Sequence, residues 1–138
     1  MKILWRVLAG FGALFHLLAF LMESVLWMRP AVHARFGVDL AGAEAMRILF
    51  FNQGFYNLFL ALGCVLGIAL VGRKPTVGRT LVSFSCLSMA GAGLILAISA
   101  PEKLGAACMQ GLPPLLAVVC GWRVWRLTPP TEAPTDPS

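Results

Sequence analysis

Phe50-Phe51-Asn52-Gln53-Gly54-Phe55-Tyr56-Asn57-Leu58-Phe59-Leu60 lies inside a long apolar run, yet carries Asn52, Gln53, Tyr56 and Asn57. If the run spans a bilayer, those four side chains sit where water is scarce, and each is costly without a hydrogen-bond partner. On one helix Asn52 and Tyr56 share a stripe at spacing four, and Gln53 and Asn57 form the adjacent stripe. The stretch therefore predicts a membrane helix with a polar face that lines a cavity or grips a neighbouring helix.

The composition supports a membrane setting. Of 138 residues, 59% are hydrophobic and 12% charged, well below the roughly 25% charge of soluble domains. The net charge of +5 does not point to nucleic acid, because the basic residues gather at the ends of apolar segments, where they encode topology. No basic patch is interleaved with aromatics. Cys64, Cys86, Cys108 and Cys120 all fall within apolar segments without zinc-type spacing, and read as small packing residues and not as a disulfide framework.

Hydropathy and breakers divide residues 1–127 into four spans, an all-α integral membrane four-helix bundle with short loops. The first covers about Ile3 to Met28, with Trp5 and Trp27 as aromatic anchors and Arg6 and Arg29 at the two interfaces. It is too long for a signal peptide and lacks a cleavage site, so it reads as a retained helix. A polar connection from Pro30 to Glu44 follows; its length suits a short interfacial helix or a lid, with His33 and Glu44 as solvated residues. The second span covers about Ala45 to Val71 and contains a Gly63-x-x-x-Gly67 spacing suited to close packing. The third covers about Val77 to Ala100, where Gly91 and Gly93 leave room for a bulky neighbour or a ligand. The fourth covers about Leu104 to Trp125 and is expected to kink or break at Pro113-Pro114. Residues 128–138 read as a disordered tail. Lys2, Arg6, Arg73, Lys74, Arg79, Arg123 and Arg126 fall on one side, against Arg29, Arg35, Arg47 and Lys103 on the other, offset by Asp39, Glu44 and Glu102. The basic excess predicts both termini in the cytoplasm and, in a bacterium, insertion in the inner cell membrane.

The first span carries His16 and Glu23, seven residues apart on one helical face, about 10 Å along the axis. Glu23 lies about 9 Å below Arg29, and Asn52 and Gln53 about 8–9 Å below Arg47. If the two polar faces meet, Glu23 neighbours Asn52 and Gln53, while Tyr56 and Asn57 approach His16. A carboxyl in a dry interior favours its neutral form, so Glu23 would give a proton to a ligand oxygen and His16 would accept or relay one. Asn52, Gln53 and Asn57 would orient the ligand, Tyr56 would donate to a developing oxyanion, and Trp27 would wall the cavity or anchor the interface. Structural glue between helices is the plainer alternative. No metal site is expected from two histidines without a carboxylate or thiolate cluster, and no cofactor is required.

The run Asn52-Gln53-Gly54-Phe55-Tyr56-Asn57-Leu58-Phe59-Leu60 resembles the N-Q-G-x-Y-N-x-F-L signature of a family of small four-helix membrane proteins from bacteria and fungi, catalogued as a domain of unknown function. His16, Glu23 and Trp27 match that family's first-helix pattern, and Arg35-Phe36-Gly37 is similar to its loop segment. The resemblance spans about Ile3 to Arg126 and departs at Leu58, where a small residue is expected. It implies an integral membrane protein and highlights the same side chains, without supplying an activity.

These features predict a small membrane enzyme that rearranges a lipophilic, oxygen-bearing molecule drawn from the lipid phase. Isomerisation and epoxide opening with cyclisation are the reaction types, with Glu23, His16 and Tyr56 as catalytic groups and Asn52, Gln53, Asn57 and Trp27 as binding groups. The alternatives are a proton-coupled exporter using Glu23, as a homodimer because four short helices barely enclose a path, and a non-catalytic assembly partner.

Overall fold

The computed structural model describes residues 3–127. Helix α1 runs Leu4–Phe20 and passes directly into a π-helical turn, Leu21–Val25. A connection then holds α2 (Pro30–His33), a 3₁₀ turn (Ala34–Phe36) and α3 (Leu40–Ala45). Three long helices complete the fold: α4 (Arg47–Leu70), α5 (Pro75–Ser99) and, after a 3₁₀ turn at Pro101–Lys103, α6 (Leu104–Leu127). Four helical stretches, Leu4–Val25, Arg47–Leu70, Pro75–Ser99 and Pro101–Leu127, are long and apolar enough to cross a membrane. Helices suit that setting because each satisfies its own backbone hydrogen bonds.

The four long helices stand in a square. Helix α1 packs on α4 and α6, and α5 packs on the same two, so α1 and α5 are diagonal. Small residues set how closely they approach. A Cβ at Gly12 would stand 2.7 Å from Pro114 Cγ, one at Gly63 2.8 Å from Ser85 Oγ, and one at Gly67 2.8 Å from the Val82 nitrogen. The Gly63/Gly67 spacing thus serves packing within the chain, between α4 and α5. Gly93 closes against Gly111 in the same way, whereas Gly91 has open space. The core near the chain termini is Trp5, Ala9, Ala13, Ala61, Cys64, Val82, Cys86, Met89 and Ala117. Cys64 Sγ lies 3.8 Å from Cys86 Sγ and donates to the Ala9 carbonyl at 3.5 Å, consistent with thiols used as small packing groups.

Several sequence expectations change. The first helix does not continue as an α-helix to Met28: the π turn intervenes, with the Leu26 N–H bonded to the Leu21 carbonyl at 2.8 Å. Trp5 is not an interface anchor but is buried edge-on against Trp125, ring centroids 5.3 Å apart. Helix α6 continues through Pro113 and Pro114 without the break that was one of the two expectations there. The prolines remove the usual donors to the carbonyls of Met109 and Gln110, and Pro114 is buried against Gly12. The expected tail, 128–138, lies outside the described residues.

The connection forms a cap over the end of the bundle away from the termini. Trp27 is 2% exposed, stacks on Phe50 at 3.7 Å, and donates its indole N–H to the Ala43 carbonyl at 2.8 Å. Phe36 stands edge-on to both rings. Gly37 turns the chain at φ +75°, in the left-handed region that only glycine enters freely. His33, expected in solvent, is buried, and its Nδ1 donates to the Val38 carbonyl at 2.7 Å; Glu44 is exposed as expected. Trp27→Ala should cost about 3–5 kcal/mol and loosen this cap. Protease cleavage between residues 30 and 45, in protein held in lipid discs, should accelerate in the variant. An unchanged cleavage rate would contradict the cap's dependence on Trp27.

Candidate functional site

Helix α4 turns a stripe of Gly54, Asn57, Ala61, Cys64 and Gly67 into the bundle. Three of the five are glycine or alanine, so the neighbouring backbones come close. At Gly54 the neighbour is the π turn: a Cβ there would collide with Ser24 Oγ, which itself donates to the Phe51 carbonyl at 2.7 Å. That contact locks the π turn onto α4 and presents Glu23 to the next turn inward. Asn57 Nδ2 donates to Glu23 Oε2 at 2.8 Å, and to its own helix at the Gln53 carbonyl at 3.3 Å. A half-buried carboxyl is thereby fixed between the π turn and α4, inside the candidate membrane span Leu4–Val25.

His16 lies deeper, 1% exposed. Its Nδ1 is 2.9 Å from the Gly12 carbonyl. A carbonyl only accepts, so Nδ1 carries the hydrogen, and in the neutral ring Nε2 keeps a free lone pair. That Nε2 is buried without a hydrogen-bond partner among the described residues. Below it, the space at Gly12 is bounded by Pro114 and by Met89 Sδ, 3.3 Å from where a Cβ would sit.

The structure joins Glu23 to Asn57 and leaves the other expected partners elsewhere. Asn52 is exposed and donates to its own helix at the Ile48 carbonyl, 2.9 Å. Gln53 is exposed, and Tyr56 is 64% exposed. Among the described residues, none of the three has a hydrogen bond to α1 or its π turn. Trp27 belongs to the cap and has its indole N–H committed to Ala43. Two physical reasons account for the difference. Spacing identifies stripes but not which of them meets a neighbour, and the small side chains of Gly54 and Ala61 decided that. Moreover, α1 passes into its π turn early, so Glu23 pairs one turn further along α4 than the estimate from Arg29 implied.

The family model described as "Protein of unknown function (DUF1304)" matches residues 10–122. The chain belongs to this family. The match covers the four long helices from Gly10 to Trp122, including Glu23, His16 and Asn57. No curated protein and no solved structure matches the chain.

Two side chains of this family member escaped notice in the sequence. Ser24 looked like an ordinary helical serine; its signal was its place beside Glu23, opposite a glycine on α4. Gln110 is a half-buried amide within the fourth span, and its polarity inside an apolar run was a legible sign. A separate groove of about 410 Å³ opens between α5 and α6, lined by apolar residues including Gly91, Leu94, Cys108 and Leu112. It lies across the square from Glu23, and its lining holds no acid and no imidazole.

Proposed function

We propose that this protein is a membrane enzyme in which Glu23 and His16 act as an acid–base pair on a lipophilic, oxygen-bearing substrate. The observation that carries the reading is the bond from Asn57 to Glu23, which fixes an ionisable carboxyl within a contact between two candidate membrane spans. Ionisable groups there are functional candidates by default because they are expensive to keep. Asn57 orients the carboxyl: its N–H engages Oε2, so in the acid form the proton sits on Oε1, where a ligand can take it. His16 supplies the complementary group, a bare Nε2.

The reaction this pair suits is epoxide opening with cyclisation. His16 Nε2 takes the proton of a substrate hydroxyl as that oxygen attacks an epoxide carbon. The carbon–oxygen bond of the epoxide breaks, and Glu23 Oε1 gives its proton to the leaving oxygen. Product and substrate are isomers; the proton left on His16 returns to Glu23 through solvent exchange, and no redox partner is consumed. General acid–base catalysis of this kind contributes roughly 10²–10⁴-fold. The basic excess on the side of the termini supports a cytoplasmic location for both, which in a bacterium places the cap on the outer side of the inner membrane.

The test is conversion of a long-chain hydroxy-epoxide by purified protein in detergent, where no gradient exists. His16→Ala should lower the rate about a hundredfold or more. Conversion only in sealed vesicles with a proton gradient would favour a carrier, and conversion unaffected by His16→Ala would remove the base from the mechanism.

A further inference from the structure

The contact between Gly12 and Pro114 fixes the register of α1 against α6. These helices are antiparallel, so one turn on from Gly12 along α1 lies level with one turn back from Pro114 along α6. The residues on that rung are His16 and Gln110. The faces of α6 sort accordingly: the backbone of Ala107 and Gly111 meets Gly93 of α5, while Gln110, four before Pro114, shares the stripe that Pro114 turns towards Gly12 of α1. Three polar groups therefore share one level. They are the buried Nε2 of His16, without a partner among the described residues, the side-chain amide of Gln110, and the Gln110 carbonyl, whose α-helical donor Pro114 removes. Gln110 is half-buried while His16 Nε2 has no exposed surface, so a ligand reaches Nε2 only by displacing side chains on this rung.

We infer that His16 and Gln110 form a hydroxyl-binding subsite between α1 and α6, which takes the alcohol group of an otherwise apolar ligand. The donor pattern selects the ligand. His16 Nε2 accepts, so the ligand must bring an O–H; an ether, a ketone or an epoxide alone has nothing to give. The Gln110 amide N–H then donates to the same oxygen. The inference deepens the proposed reading by assigning the attacking hydroxyl to this rung, but the subsite itself requires only the geometry above.

Nitrogen NMR of imidazole-labelled protein in detergent reads Nε2 directly, with 1-dodecanol as the probe and dodecane and dodecyl methyl ether as controls. The expected result is a saturable shift of the His16 Nε2 signal with dodecanol and none with either control. Gln110→Leu should weaken the dodecanol titration about tenfold, and Gln110→Asn should restore part of it, which a merely structural role would not do. Equal shifts with ether and alcohol, or no shift at all, would overturn the subsite. So would a signal already at its hydrogen-bonded position and indifferent to dodecanol, which would assign the place to a resident water. Dodecanol binding without hydroxy-epoxide conversion would leave the subsite standing and remove the proposed reaction; Glu23-dependent conversion without dodecanol binding would do the reverse.

Discussion

Replacing Glu23 by glutamine is expected to abolish most turnover, by about a hundred- to ten-thousand-fold, while leaving the bundle assembled. The substitution is close to isosteric. A glutamine oxygen still accepts from Asn57 Nδ2, so the link between α1 and α4 that now measures 2.8 Å survives in kind. What disappears is the transferable proton on the second oxygen. The two readouts should therefore separate: conversion of a long-chain hydroxy-epoxide collapses, while the thermal midpoint in detergent stays close to that of the unaltered protein. Full turnover in the variant would remove Glu23 from the chemistry. Loss of the folded bundle would instead make the carboxyl a structural element.

Gly54→Ala should have the second largest effect, and through geometry alone. The added carbon would overlap Ser24 Oγ and stand 3.1 Å from the Ser24 backbone nitrogen. Rotating the serine hydroxyl away relieves the first contact but sacrifices its bond to the Phe51 carbonyl, and leaves the second. The π turn must then move off α4, at a cost of about 1–3 kcal/mol for overpacking a tight contact. Asn57 lies three residues further along the same stripe, so the Glu23–Asn57 bond opens with it. Turnover should fall together with the thermal midpoint, in contrast to Glu23→Gln, where only turnover falls. Ser24→Gly in the same chain removes the opposing side chain and should recover part of both. A fully active, fully stable Gly54→Ala protein would show that the α1–α4 contact is looser than described.

The four spans were legible because hydropathy alone separates them, and their ends fell within a few residues of the observed helices except in the first, where the α-helix stops at Phe20 and not at Met28. His16 and Glu23 were legible as polar residues in an apolar run. So was Asn57, but only as one of four candidates. Asn52, Gln53 and Tyr56 looked equivalent to it, and the choice among them was made by Gly54 and Ala61, whose small size lets α1 approach on their side. The π turn was not legible, because Leu21–Val25 reads as a continuation of the apolar helix before it; the contacts of Ser24 and Glu23 with α4 appear only in the folded chain. The connection was legible as a short helix or a lid, but the packing inside it was not, for a related reason. Trp27 and His33 resemble interface and loop residues in sequence, and they become buried only when Phe36 and Phe50 close around them. Pro113 and Pro114 predicted an interruption that the helix absorbs, with Pro114 used as a packing surface for Gly12.

The most direct test is infrared spectroscopy of the Glu23 carboxyl. A carbonyl band lost in Glu23→Gln identifies the acid form of this side chain. Because Asn57 donates to the carbonyl oxygen of that acid, the band should move to higher wavenumber in Asn57→Leu, where the donor is gone. A Glu23 band that does not move when Asn57 is removed, or the absence of any carbonyl band dependent on Glu23, would contradict an acid held by Asn57 inside the bundle.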